Sequence, residues 1–377
     1  MQLVGNIVSG FQTKFGWIGF EKDKISEITL LEEVHPDADW ILPGFIDLHL
    51  HGFGNFNVEE GESGLRGMAE FLATKGVTRF LPSYSSAPHG EILEFVKLVR
   101  RLAAEPVEGA KIAGSHIEGP WLALRFCGGM IPEMLRDPDL KQTQDYLDAA
   151  CGTLKMMTIA PELPGALEVI RLLHQNGVVV SCGHSACPPD FLKTAVDAGV
   201  SEICHLFDSY ALPEDHGGVR QPALTDLVLI HDGLMKEIIM DGLHVPPELV
   251  ILARRASGAN HIIAITDALQ GAGLKEGHFL DCGKPYHIKE GDFARRDEDN
   301  TIIGSSLSMN RAFFNMTTRF GFTPAEAALS LSANPAKQLK IDAETGSLQV
   351  GKLADIAVLA PDRLTVKATY LAGKKIF

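Results

Sequence analysis

Two hydrophobic periods alternate along this chain. Short runs rich in β-branched and aromatic residues are each followed by a longer segment whose apolar side chains return every third or fourth position. The first pattern marks a buried strand and the second an amphipathic helix. Beyond about residue 42, eight short runs stand out, at 45–50, 78–84, 112–118, 155–160, 178–184, 202–207, 237–241 and 261–267. The segments between them include SGLRGMAEFLATKG, EILEFVKLVRRLAAE, ALEVIRLLHQNG and PDFLKTAVDAG, and several close on Gly as a helix C-terminus does.

Strands alternating with helices predict βαβ units and a parallel sheet. Such units either close into a barrel or spread into a doubly wound sheet, and the polar residues decide between the two. They fall at the C-terminal ends of well-separated strands: His49 and His51, His116 and Glu118, His184, His205, Asp241 to His244, and Asp267. Only a closed barrel gathers the ends of the first, third, fifth, sixth and eighth strands around one point. The predicted fold class is therefore α/β, a (β/α)8 TIM-type barrel.

The chain ends break this rhythm. Residues up to about 42 (IVSGFQT, GWIGFEK, ISEITLLEE) and the tail GSLQVGKLADIAVLAPDRLTVKATYLAGKKIF alternate in strand fashion, with Gly, Pro and Asp at the turns. They are expected to pair as a small β-sandwich, residues 1–44 with 336–377, beside a barrel of residues 45–335. A further β-like stretch, FLDCGKPYHIKEGDFARRDEDNTIIG, follows the eighth strand.

A length of 377 residues suits this plan, since such a barrel takes ~250 residues. No run approaches the ~20 apolar residues of a membrane span, and MQLVGNIVSGFQTKFGW lacks the basic-then-apolar order of a signal peptide. Cys127, Cys151, Cys182, Cys187, Cys204 and Cys282 form no CxxC pair and read as reduced thiols of a cytoplasmic protein. The net charge of −14 argues against a nucleic-acid partner. It also requires that an anionic substrate be met by locally clustered cations.

The candidate chemistry lies in the strand ends. In LPGFIDLHLHG, His49 and His51 are two apart on a strand and share a face, which makes them a natural pair of metal ligands. In GSHIEGPWL, Glu118 offers a carboxylate at the same level as a second-shell or substrate-contacting His116. Glu118 with His184 and His205 forms a two-histidine, one-carboxylate set that leaves a coordination position for water. Asp267, at the end of the mostly apolar IAITDAL run, is the candidate general base.

These residues and the motifs GVTRFLPS, HIEGPWL, TIAPE, GHS, HLF, DGLHV, TDA, GSSLSM and ANPAKQL resemble the amidohydrolase superfamily, and within it the N-acetylglucosamine-6-phosphate deacetylase family, over nearly the whole chain. The resemblance implies a divalent metal (Zn, Fe, Mn or Co, one ion or two). Glu118, His184 and His205 would hold the principal ion, while His49 and His51 would supply a second site bridged by Glu118. Asp267 would take a proton from water at the metal and pass it to the leaving amine. Arg220 and His244 would contact a phosphorylated amino sugar, the Arg reaching in from the second subunit of a homodimer.

Two departures from that family touch the substrate. Cys127-Gly128-Gly129-Met130 stands where the family reads KGAH, and Met130 cannot donate the hydrogen bond of the lost histidine. Asp208 and Ser209 in HLFDSY stand where the family reads HLFNAM, and an Asp beside a phosphate is unfavourable unless neutralised. Alternative readings are deacetylation of N-acetylgalactosamine 6-phosphate or another N-acyl amino sugar or amino acid, and a non-catalytic barrel homologue. The last is disfavoured because every proposed ligand is present. A carboxylated-lysine centre is disfavoured because Lys155 opens its strand rather than ending it.

Overall fold

The structure is a computed structural model and describes residues 1–106 and 108–377. Its central sheet comprises β1 (Phe45–Leu50), β2 (Val77–Tyr84), β3 (Ser115–Glu118), β4 (Leu154–Ile159), β5 (Val179–Cys182), β6 (Val200–Ile203), β7 (Met235–Ile239) and β8 (Ile262–Ile265). The strands pair in chain order, each parallel to the next. The circle closes where Leu50 bridges Ala268 in parallel and the Asp267 amide donates to the His49 carbonyl at 2.9 Å. A helix follows each strand: α1 (Gly61–Ala73), α2 (His89–Ala104), α3 (Leu140–Ala150), α4 (Ala166–Gln175), α5 (Leu192–Ala198), α6 (Leu224–Leu229), α7 (Pro247–Ser257) and α8 (Met309–Thr318). The (β/α)8 barrel expected from the sequence is the fold that forms.

The strands read as continuous apolar runs because both their faces are covered; β1 is buried along its whole length. Each helix buries one stripe. In α2, Ile92, Phe95, Val96, Val99 and Leu102 recur at three- and four-residue steps against the barrel.

The chain ends form one seven-stranded sheet, in which Trp40–Pro43 pairs with Ile356–Leu359 from the far end of the chain. The sheet folds over a core of its own that includes Ile7, Ile18, Phe20, Ile41, Ile356 and Tyr370. Phe20 and Tyr370 sit on non-adjacent strands, yet their rings meet at 5.4 Å. A buried Arg79–Asp355 ion pair at 2.8 Å ties this unit to β2. The stretch after β8 folds into a four-stranded antiparallel sheet, Glu276–Asp281, Lys284–Lys289, Phe293–Arg296 and Ile302–Ser305. It stands over the C-terminal mouth of the barrel, where it helps wall the cavity described below.

Three predicted strands run too long. β5, β6 and β8 end at Cys182, Ile203 and Ile265. Each is followed two residues later by a residue with positive φ: His184 (47°), His205 (23°) and Asp267 (48°). Side chains other than Gly seldom adopt this conformation, and it costs on the order of 1–3 kcal/mol per residue. Here the backbone leaves the strand direction just as the functional side chain turns inward.

Candidate functional site

Six side chains converge at the C-terminal mouth of the barrel, all of them at least nine-tenths buried: His49, His51, Glu118, His184, His205 and Asp267. Glu118 lies at their centre with its two oxygens facing opposite ways. Oε1 stands 3.0 Å from His184 Nε2 and 3.2 Å from His205 Nε2. Oε2 stands 3.4 Å from His49 Nε2 and 3.2 Å from His51 Nε2. Asp267 Oδ1 completes the second group, 3.3 Å from His51 Nε2 and 3.7 Å from His49 Nε2. Two ligand sets, Glu118–His184–His205 and His49–His51–Asp267, therefore meet at the Glu118 carboxylate, whose Oε2 faces the second, and Cys204 stands beside His49 and Glu118.

The hydrogen bonds behind the imidazoles fix which nitrogen faces inward. His184 Nδ1 donates to the Phe126 carbonyl at 2.8 Å, His205 Nδ1 to the Asp208 carbonyl at 3.2 Å and His51 Nδ1 to the Ser83 carbonyl at 3.0 Å. His49 Nδ1 faces Glu237 Oε2 at 3.3 Å. Carbonyls and carboxylates only accept, so each Nδ1 donates outward and each Nε2 is the nitrogen left to ligate an ion. The His184 and His205 Nε2 atoms thus face each other at 3.1 Å, beside a carboxylate oxygen. His49 Nε2 is buried without a hydrogen-bond partner. Nitrogen and carboxylate atoms brought this close need positive charge among them, from protons or from a metal ion, and imidazole with carboxylate suits a divalent transition ion. The residues fit such an ion.

Burial alone would raise the Glu118 carboxyl, but the imidazoles of His49, His184 and His205 hold it well below the usual carboxylate range. Burial likewise opposes ionisation of Asp267, yet His51 and His49 keep its carboxyl low, so it is held as the carboxylate.

The centre floors a cavity of about 180 Å³ whose walls include Met130, Asp208, Ser209 and His244. His244 Nδ1 bonds Asp241 Oδ2 at 2.6 Å, while its Nε2 has no partner. Burial lowers the affinity of this imidazole for a proton, but the Asp241 carboxylate outweighs it and the pKa is raised. Gly128 brings the loop that carries Met130 against the centre. It has φ of 56°, and a Cβ there would lie 2.8 Å from Ser209 Oγ and 3.2 Å from His184 Cε1, so a side chain at this position would push the loop away.

Two sequence-predicted contacts fall elsewhere. His116 is fully buried behind His49, bonded to Ser83 Oγ and Thr158 Oγ1 at 2.9 Å each, and does not line the cavity. Its substrate-contact reading is corrected to a place beneath the ligands, because both ring nitrogens are spent on hydroxyls. Arg220 lies outside its own chain's cavity as well, on the exposed Asp215–His216/Val219–Arg220 hairpin, paired with Asp226 at 2.9 Å. Sequence reasoning missed Glu237, whose Oε2 faces His49, and Glu162, which accepts from Ser185 Oγ at 2.7 Å and braces the turn after His184. The signal for Glu237 was its place beside Lys236 as one of two adjacent charges within the otherwise apolar run MKEIIM. It also missed that the inserted sheet supplies Asp281, Cys282 and Phe293 to the cavity.

Comparison with known proteins agrees with this geometry. The sequence profile of the amidohydrolase family matches residues 40–376. The chain is 32% identical over 361 residues to N-acetylglucosamine-6-phosphate deacetylase of Bacillus subtilis, covering 93% of this chain and 90% of that one. It is 31% identical over 370 residues to N-acetylgalactosamine-6-phosphate deacetylase of Escherichia coli O157:H7, covering 96% of each. The fold superimposes on the crystal structure of N-acetyl-D-glucosamine-6-phosphate deacetylase from Mycobacterium smegmatis with a TM-score of 0.90 and 29% identity, covering both chains fully. A mutant of that enzyme has been solved with N-acetyl-D-glucosamine-6-phosphate bound.

Proposed function

The chain belongs to the amidohydrolase family, and from that premise we propose that it removes the acetyl group of N-acetylglucosamine 6-phosphate, giving glucosamine 6-phosphate and acetate. The observation that carries this reading is the convergence of four imidazole Nε2 atoms and two carboxylates at the floor of a cavity of about 180 Å³.

Glu118, His184 and His205 would hold one divalent ion, and His49 and His51, with Glu118 and Asp267, a second. Such an ion supplies a Lewis acid that acidifies water and polarises the acyl carbonyl. The Asp267 carboxylate would accept the proton of the attacking water and deliver it to the departing nitrogen, so that the amine leaves neutral. His244 Nε2 aims an otherwise unpaired ring nitrogen at the sugar phosphate. Arg220 completes the phosphate site from the second subunit of a homodimer, where its bidentate fork would offset Asp208. Residues 45–335 form the catalytic unit and residues 1–44 with 336–377 the supporting one, in a cytoplasmic enzyme.

The second reading is the C4 epimer, N-acetylgalactosamine 6-phosphate. It is favoured by the likeness to the E. coli deacetylase and by the changed wall at Met130, Asp208 and Ser209. Acetate release from both epimers, each with and without the 6-phosphate, tests the proposal. The expected result is faster turnover of the phosphorylated glucosamine derivative. Faster turnover of the galacto epimer would replace the substrate, and no acetate from any of the four would sink the deacetylase reading.

A further inference from the structure

The metal centre opens into a second cavity that the deacetylation of an acetyl group does not use. Its volume is about 370 Å³, and it meets the first cavity at His51, Ser85, Ser86, Ile131, Leu269 and Asp281. The first lobe holds the proposed sugar contacts, Met130, Asp208, Ser209 and His244. The second runs to the other side of His51, between the end of β2 and the inserted sheet.

An amide has two sides, and its acyl chain and its nitrogen substituent leave the carbonyl carbon in different directions. With the amino sugar in the first lobe, the acyl group faces the second. A methyl group leaves nearly all of that lobe unfilled, since a single water already takes about 30 Å³.

The chemistry of the lobe is one-sided. Glu59, Glu91 and Asp281 line it, and among the described residues no Lys or Arg does. Glu59 and Asp281 bring carboxylate oxygens within 4.8 Å of each other and of the Cys282 sulfur. The thiol of Cys282 donates to Glu59 Oε1 at 3.1 Å, and among the described residues lining the lobe His51, at its edge, is the sole basic side chain. Burial pushes the Asp281 carboxyl up to about 6, so it is ionised at neutral pH. Tyr286 also lines the lobe; it is 1% exposed, and its hydroxyl has no hydrogen-bond partner. A buried phenol without a partner costs stability, and here it lines a space shared with three carboxylates. Tyr84, Met134 and Leu280 supply apolar wall between these polar groups.

We propose that this lobe is an acyl-side subsite and that the enzyme also hydrolyses amino sugar phosphates whose N-acyl group is longer than acetyl and ends in an ammonium, an ω-aminoacyl group. Water adds to the acyl carbon and the C–N bond breaks. One water proton passes to the departing nitrogen, and the products are the ω-amino acid and the free amino sugar phosphate. Glu59 and Asp281 would receive the ammonium, and the Tyr286 hydroxyl oxygen would accept a hydrogen bond from it. The inference rests on the deacetylase reading for the placement of the sugar.

The test uses the metal-loaded enzyme and four substrates that differ only in the acyl group: N-acetyl, N-butyryl, N-β-alanyl and N-succinyl glucosamine 6-phosphate. Butyryl is the neutral isostere of β-alanyl, and succinyl carries the opposite charge. The expected order of kcat/KM is β-alanyl above butyryl by about two- to fivefold, with succinyl lowest, because Glu59 is exposed and solvent screens an ion pair formed there. Glu59→Gln and Tyr286→Phe should each shrink the β-alanyl to butyryl ratio. A β-alanyl derivative hydrolysed no faster than the succinyl one, or a ratio unmoved by Glu59→Gln, overturns the subsite. Absence of turnover with the N-acetyl compound itself would instead overturn the deacetylase reading on which it rests.

Discussion

The floor and the wall of the cavity are built by different rules. The floor is rigid: six ligating or proton-accepting groups hang from or just beyond β1, β3, β5, β6 and β8, nearly excluded from water, each imidazole locked by a bond at its far nitrogen. The wall is made of connections. Met130 sits in a glycine loop, Asp208 and Ser209 in a turn containing two left-handed residues, Phe207 and Ser209, and Phe293 and Ile303 in the inserted sheet. A fixed reaction centre under a variable rim is how this barrel changes substrate without changing chemistry. Substitutions at the floor should therefore act on turnover or metal, and substitutions at the wall on substrate choice.

The largest break comes at the floor. Asp267→Asn keeps the shape and removes the proton acceptor, so kcat should fall by roughly 10²–10⁴-fold. Metal content by elemental analysis should stay at the wild-type level. A variant with full turnover would put the base elsewhere.

Next is the support beneath the floor. Glu237→Gln weakens the acceptor that orients His49, and loss of such a partner costs about 10–100-fold in metal affinity. The loss should fall on the ion held by His49 and His51, leaving the Glu118–His184–His205 ion in place in a competitive chelator titration. Equal loss from both would mean that the two sets do not act separately.

The wall gives smaller effects. His244 has a raised pKa because Asp241 outweighs its burial, so it keeps its charge to higher pH than a free imidazole and loses it as pH climbs through that raised value. With Asp208, Asp267 and Asp281 the other aspartates lining the cavity, KM for the phosphorylated sugar should rise several-fold over that interval. KM for the unphosphorylated sugar should stay flat, and parallel rises in both would remove His244 from the phosphate. Met130→His restores a donor on the wall and should lower KM by roughly two- to tenfold, with kcat changing little.

The same division explains what the sequence made legible. Barrel strands covered on both sides carry a continuous apolar signature, and a polar residue ending such a run stands out. That is why His49, His51, Glu118, His184, His205 and Asp267 were all readable. Their backbone was not: the left-handed turns at His184, His205 and Asp267 give no signal in hydrophobic period, so the predicted strands overran them. His116 shares a strand face with Glu118, but only the packed structure shows Ser83 and Thr158 occupying its ring nitrogens. Arg220 sits on a hairpin clear of its own chain's cavity, a geometry that intrachain patterning does not encode. The inserted sheet read as strands, while its place over the barrel mouth depended on long-range packing.

The most direct test of the account is acetate release from N-acetylglucosamine 6-phosphate, followed on one preparation before chelation, after removal of bound metal and after a divalent ion is restored. The account predicts one acetate per glucosamine 6-phosphate, loss of turnover on stripping and its return with the ion. Undiminished acetate release from protein shown to be free of metal would contradict it.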